Sequence, residues 1–293
     1  MTWWKQIRKR IGESHRGSRI LASEVAVRTD LGCVRAENED TVLFVRPQQI
    51  SLQARRGVLA VVADGMGGAN TGEIASQLAC NTISELYFAG HGSPGHALRL
   101  AYAAANRRIF SLATERPECH GMGTTAAALA LVGNKAWFAN IGDSRIYLLR
   151  DTCLRQLSQD DSLVAQMVRD GLITPEQGRS HHDRNILVRA LGTRPELNLG
   201  CEPTCIECQP GDRFLLCSDG LYDLVSEQEI LAETVADVGH AADRLIDIAK
   251  RRGGPDNISV VLIAMCEQPV LSKAAETRAF EPRAAETREV LVG

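Results

Sequence analysis

No stretch of this 293-residue chain is long and apolar enough to span a bilayer. The N-terminus, MTWWKQIRKRIGESHRGSR, is basic but has no apolar stretch behind its charges, which excludes a secretory signal. Neither sign of charge dominates. Lys and Arg total 33 against 36 Asp and Glu, a net charge of −3, so nothing global favours nucleic acid or a strongly charged partner. The nine cysteines are an odd number. Cys80, Cys217 and Cys266 lie inside apolar runs, as small buried hydrophobes do in a reducing compartment, and a cytoplasmic protein is expected. Cys201, Cys205 and Cys208 show a C-x3-C-x2-C spacing. In an extended segment Cys208 would face away from the other two, and no fourth ligand is placed.

What is present is ordinary globular composition, 44% hydrophobic and 24% charged. Strand-like runs occur at 23–28, 41–45, 57–63, 123–132, 135–141, 144–150, 213–218 and 257–265. Helical spacing appears at 73–88, with Ile74, Leu78 and Leu86 on one face, and at 240–251, with Ala241, Leu245 and Ile248. Ser93-Pro94 and the Ser226–Glu229 capping box open two further helices. Strands and helices come in groups rather than alternating one for one. That order predicts an α+β fold, antiparallel sheets covered by helix pairs.

Three domains of organisation follow: a basic N-terminal segment (1–22), a folded domain (23–266) and a tail (267–293). Residues 158–192 read as an inserted flap, with a capping box at Thr174–Gln177 and His181-His182 as plain surface residues of a polar loop. The tail carries a near-repeat that sets Thr277 and Thr287 in Ala-Ala-Glu-Thr-Arg, and is expected to be disordered and open to a kinase. In the N-terminal segment Trp3, Trp4, Ile7 and Ile11 share a helical face. Contact with an anionic membrane is conceivable, but a short packed helix or frayed end is the preferred reading.

The chemistry begins at strand ends. The run VLAVVA stops at Asp64 and turns glycine-rich, DGMGG; FLLCSDG repeats the pattern at Asp219; and DNISVVLI leads a strand in from Asp256. One Asp-Gly is a turn. Three carboxylates at one sandwich edge need a counter-charge, which hard divalent cations supply. Phosphate-binding loops are excluded, because DGMGG lacks both the Lys-Ser/Thr ending and the G-x-G-x-x-G pattern.

The segment TDLGCVRAENED (29–40) adds Arg35, Asn38, Glu39 and Asp40. Together with DGMGG, GMGTT (121–125), GDSR (142–145), CSDG (217–220) and GPDN (254–257), in that order, it resembles the metal-dependent Ser/Thr protein phosphatases of type 2C, the PPM family, in its bacterial branch. The resemblance covers residues 23–265. It implies an αββα sandwich and two Mn²⁺ or Mg²⁺ ions per chain. Asp64 would bridge them, the Gly65 carbonyl, Asp219 and Asp256 would complete the ligands, and Glu39 and Asp40 would order metal-bound waters. Asp143 would hold a third ion.

The implied reaction is hydrolysis of phosphoserine or phosphothreonine by direct attack of a metal-bridging hydroxide, with Arg35 clamping the phosphate. Eukaryotic relatives carry a histidine where this chain has Met66, so a metal-bound water is the expected proton donor. Expected partners are phosphorylated Ser/Thr proteins, a cognate kinase or its substrates, met by a monomer. The alternative, a pseudophosphatase that only binds phosphoproteins, is disfavoured because Asp64, Asp219 and Asp256 are all retained.

Overall fold

The computed structural model describes residues 21–68, 71–197, 203–267 and 288–292. The chain opens with β1 (Leu21–Asp30), β2 (Asp40–Val45), α1 (Ile50–Arg56) and β3 (Val58–Met66). A long helix pair follows, α2 (Thr71–Ala89) and α3 (Pro94–Glu115). Five strands come next: β4 (Gly123–Thr124), β5 (Ala126–Val132), β6 (Lys135–Ile141), β7 (Arg145–Arg150) and β8 (Cys153–Gln156). The short helices α4 (Leu163–Arg169) and α5 (Pro175–Arg179) lead to β9 (Thr204–Glu207) and β10 (Arg213–Cys217). The remainder is α6 (Asp219–Tyr222), α7 (Glu227–Glu233), α8 (Val238–Arg251), β11 (Ile258–Glu267) and β12 (Arg288–Val292).

These strands form two antiparallel sheets, ordered β1-β11-β10-β7-β8 and β12-β2-β3-β5-β6-β9, with β4 beside β3. The sheets pack face to face. Val42, Phe44, Val58, Ala60 and Val62 meet Leu216, Val261 and Ile263 between them. The alternate residues Leu43, Leu59, Val61 and Ala63 pack under α2 and α3. On the opposite side Leu215, Val260 and Leu262 pack under α7 and α8. The result is an αββα sandwich. Both faces of β3 are covered, which is why its sequence is a continuous apolar run rather than an alternating one.

Local signals locate the helix starts. Ser93 accepts the His96 amide with Pro94 at the first helical position, and capping boxes close at Thr174–Gln177 and Ser226–Glu229. The face of α2 differs from expectation. Ile74 is 40% exposed and Leu78 and Leu86 are only partly buried, whereas the inward stripe is Ala75, Ala79, Ile83 and Tyr87. Small residues let this helix lie close on β3, so size was the wrong guide to its inner face.

Residues 288–292 pair with β2, which departs from the expectation of a tail without regular structure. The basic N-terminal segment through residue 20, Cys201, Thr277 and Thr287 lie outside the described residues. No described helix is long and apolar enough to cross a membrane.

Just before β3, Arg56 is fully buried. Its guanidinium donates to the carbonyls of Gly90 (2.6 Å) and Gly92 (3.3 Å), past the C-terminal end of α2. Its centre lies 5.5 Å from the Tyr87 ring, and Tyr87 Oη donates back to the Arg56 carbonyl at 2.7 Å. Carbonyl dipoles and an aromatic face thus take the place of a carboxylate partner.

Candidate active site

The sandwich brings the carboxylates of both sheets to one edge. In the antiparallel β2–β3 pair, Asp40 lies directly opposite Asp64. Asp219 opens α6 just after β10, and Asp256 stands just before β11, the antiparallel neighbour of β10. Asp143 occupies the turn between β6 and β7, where the chain crosses from one sheet to the other. Ser218 Oγ donates to Asp40 Oδ2 at 2.7 Å and stitches the two sheets together at this edge.

Hydroxyls fix the backbone around these groups. Thr125 Oγ1 accepts the Asp64 amide (2.9 Å), Thr124 Oγ1 donates to the Asp64 carbonyl (2.8 Å), and Thr125 Oγ1 pairs with Ser144 Oγ (2.6 Å) beside Asp143. Asn257 accepts the Glu39 amide (2.9 Å) and donates to the carbonyls of Leu31 and Glu37, closing the loop that carries Arg35. Gly65 and Gly220 are required here because a Cβ on either would fall about 2 Å from a neighbouring carbonyl, of Gly72 and Asn257 respectively. Their lack of a side chain admits adjoining backbone, not only an approaching ion.

Electrostatically the edge is unresolved. Burial, reinforced by Asp40, Asp219, Asp143 and Asp256, holds Asp64 well above the ordinary carboxylate range. Asp219 is raised in the same way, by burial and then by Asp143, Asp256, Asp223 and Asp40. Burial pushes Asp143 up to about 7 and Asp40 up to about 6, the latter against the hydrogen bond from Ser218. Burial also raises Glu39, although the Gly72 amide and Arg35 act against it. Arg35 is an exposed cation at the rim, and its Nη2 donates to Asp256 Oδ2 at 2.7 Å. Asp219 Oδ1 is buried with no hydrogen-bond partner among the described residues. A buried carboxylate oxygen without a donor, among carboxylates that suppress one another's ionisation, is the donor set a hard divalent cation requires.

Among the described residues, the group of three ligand-type side chains whose atoms all lie within 4.8 Å is instead His181, His182 and Asp183 in the flap. There the Asp183 amide already donates to His181 Nδ1 (3.2 Å), and the His182 side chain is 82% exposed. Cys208 is buried and Cys205 half-buried, and both are free thiols.

The edge thus gathers Asp40, Asp64, Asp143, Asp219 and Asp256, with Glu39 beside them and Arg35 at the rim. Sequence reasoning passed over Ser218, Thr124 and Thr125, the supports of these groups. It also passed over Asp223, whose charge reaches Asp143 and Asp219 and which pairs with Arg184 of the flap at 3.3 Å. The Ser beside the aspartate in CSDG and the paired threonines that close GMGTT were the available signal.

Residues 34–248 match the family Protein phosphatase 2C. The serine/threonine protein phosphatase PstP of Mycobacterium tuberculosis is 42% identical over 267 residues, which are 87% of this chain and 48% of that protein, so the chain spans about half the length of that relative. The serine/threonine phosphatase stp of Listeria welshimeri is 35% identical over 245 residues, 80% of this chain and 93% of that protein. The solved catalytic domain of serine threonine protein phosphatase PstP, in complex with two manganese ions, superimposes with a TM-score of 0.71 at 40% identity, covering 84% of this chain and 99% of that one. With the fold, the ordered motifs and the acidic edge all in agreement, the chain belongs to the protein phosphatase 2C family.

Proposed function

We propose that the chain is a Mn²⁺- or Mg²⁺-dependent protein serine/threonine phosphatase that opposes a bacterial Ser/Thr kinase in the cytoplasm, acting as a monomer. The observation that carries this reading is the acidic edge, above all the unpartnered, buried Oδ1 of Asp219 among Asp40, Asp64 and Asp143. Asp64, Asp219 and Asp256 would hold two cations together with the Gly65 carbonyl, and Asp143 a weaker third. When bound, the cations supply Lewis acidity that lowers the pKa of water and offsets charge on the phosphoryl group.

The chain's own residues do the rest. The paired Asp40–Asp64 register and the Thr124 and Thr125 hydroxyls hold the central carboxylate in place before substrate arrives. Glu39, braced by the Gly72 amide, and Asp40, held by Ser218, would accept hydrogen bonds from water in the cleft. Arg35 offers a planar fork that suits two phosphate oxygens. It now spends one nitrogen on Asp256, so a cation on Asp256 and the phosphate would share the task of releasing it. Met66 carries no proton to give, so the leaving oxygen is not protonated from that position.

A chromogenic aryl phosphate tests the reading. Hydrolysis is expected with Mn²⁺ and none with chelator, and phosphoserine or phosphothreonine peptides should be cleaved under the same conditions. Binding of phosphopeptide without turnover at any Mn²⁺ concentration would favour a pseudophosphatase.

A further inference from the structure

The flap is rooted in the turn that carries Asp143. Asp161, 2% exposed, grips Gly142 from both sides: its Oδ2 accepts the Gly142 amide at 3.2 Å, and its own amide donates to the Gly142 carbonyl at 2.9 Å. Asn140 Nδ2 donates to the same carbonyl at 3.2 Å. The other carboxylate oxygen of Asp161 takes a hydrogen bond from Arg189 Nη2, and the Asp161 carbonyl accepts the Val188 amide at 2.8 Å. Asp161 lies at the outgoing stem of the flap and Arg189 at the returning one. A bridge between Ser162 and Leu187 continues the seam.

On the other side of Asp143, Arg145 is held by Asp160 (2.7 Å) and lies 3.6 Å from the Tyr222 ring. Asp143 therefore sits between two anchors supplied by neighbouring flap residues. Gly142 itself admits no side chain, since it has φ +89° and a Cβ there would fall 2.5 Å from Thr125 Cγ2.

We infer that the Asp161–Arg189 pair positions the Asp143 carboxylate, making the two flap stems and the third-ion position one mechanical unit. The pair touches no reacting atom and acts through the Gly142 peptide. Burial raises the cost of leaving Asp161 charged and alone, so loss of Arg189 would loosen its hold on Gly142 as well as the stem contact. Its catalytic arm rests on the phosphatase reading; its structural arm does not.

The variants Asp161→Asn and Arg189→Gln should weaken the weaker class of Mn²⁺ sites about tenfold in calorimetry, the scale of outer-shell partners of metal ligands, and leave the tight sites unchanged. Turnover of phosphopeptide should then need correspondingly more Mn²⁺. In an Asp143→Ala background, Asp161→Asn should cost nothing further, because its route of action is gone. Additive losses in the double variant, or wild-type Mn²⁺ dependence in both single variants, would overturn the proposal. If neither folds, Arg189→Lys keeps the charge without the fork and carries the same comparison. Limited proteolysis of the metal-free protein judges the structural arm separately. Cleavage within 163–186 should speed up in the variants, and unchanged cleavage would overturn the linkage even if wild-type protein proves to be an active phosphatase.

Discussion

The two ends of β3 handle buried charge in opposite ways. Before its first residue, Arg56 is enclosed with no acid partner among the described residues, yet the carbonyls of Gly90 and Gly92 and the Tyr87 ring solvate its guanidinium, leaving only Nε without a hydrogen bond. Near its last residue, Asp64 meets further carboxylates, and Asp219 Oδ1 is left without any donor. A charge that the chain resolves internally serves the fold. A charge that it leaves unresolved at a strand tip asks for something from outside, and in this family fold that something is a cation.

The comparison breaks most sharply at Asp64. Asp64→Asn keeps the shape and removes one carboxylate, so activity should fall on the order of a thousandfold or more, as expected when a metal's central ligand is lost. The same change should raise the melting temperature of the metal-free protein, because it relieves repulsion among buried carboxylates. A metal-free protein that is destabilised by Asp64→Asn would place this end of β3 in the same structural class as Arg56.

Arg56→Met should behave inversely. It strands the Gly90 and Gly92 carbonyls and should cost on the order of 2 kcal/mol in denaturant unfolding, with turnover per folded molecule unchanged. Loss of turnover in the folded fraction would show that the two ends are coupled.

A smaller effect sharpens the active end. Arg35→Ala should raise KM for phosphopeptide about tenfold through loss of charge-assisted hydrogen bonds. Mn²⁺ affinity should hold or rise, since Arg35 no longer occupies Asp256. A fall in Mn²⁺ affinity by calorimetry would make Arg35 a support of the ligands instead.

The strand tips were legible because a strand buried on both faces is a solid apolar run, and an aspartate followed by glycine ends it abruptly. Asp64 and Asp219 needed no more than that. The inner face of α2 was not legible, since Ala75 and Ala79 carry little hydrophobic signal beside Ile74, which points outward. The strands β8 and β9, CLRQ and TCIE, are short and half exposed, so no alternation marks them. Asp161 hides in the polar run SQDDS, where a buried ion pair looks like a solvated loop. Arg56 hides in the pair Arg55-Arg56, of which only the second is enclosed. Burial of a charge depends on what folds over it from far along the chain, and no local pattern records that.

The central claim is that buried, partly protonated carboxylates become a cation site. Their raised pKa values set its sign. Below about pH 4, the ordinary carboxylate value, both folded and unfolded chains hold these protons. As pH rises toward the folded values of about 6 for Asp40 and about 7 for Asp143, the unfolded chain has already released them, so the metal-free fold loses stability across that window. A cation must displace the same protons. The decisive measurement is calorimetric titration of the metal-free protein with Mn²⁺ at pH 6 and pH 8, in buffers of different ionisation enthalpy. Two tight ions should bind at pH 8, and binding at pH 6 should be weaker and release more protons, those of Asp40 and Asp143 among them. Absence of Mn²⁺ binding, or equal affinity at both pH values with no proton release, would contradict the account.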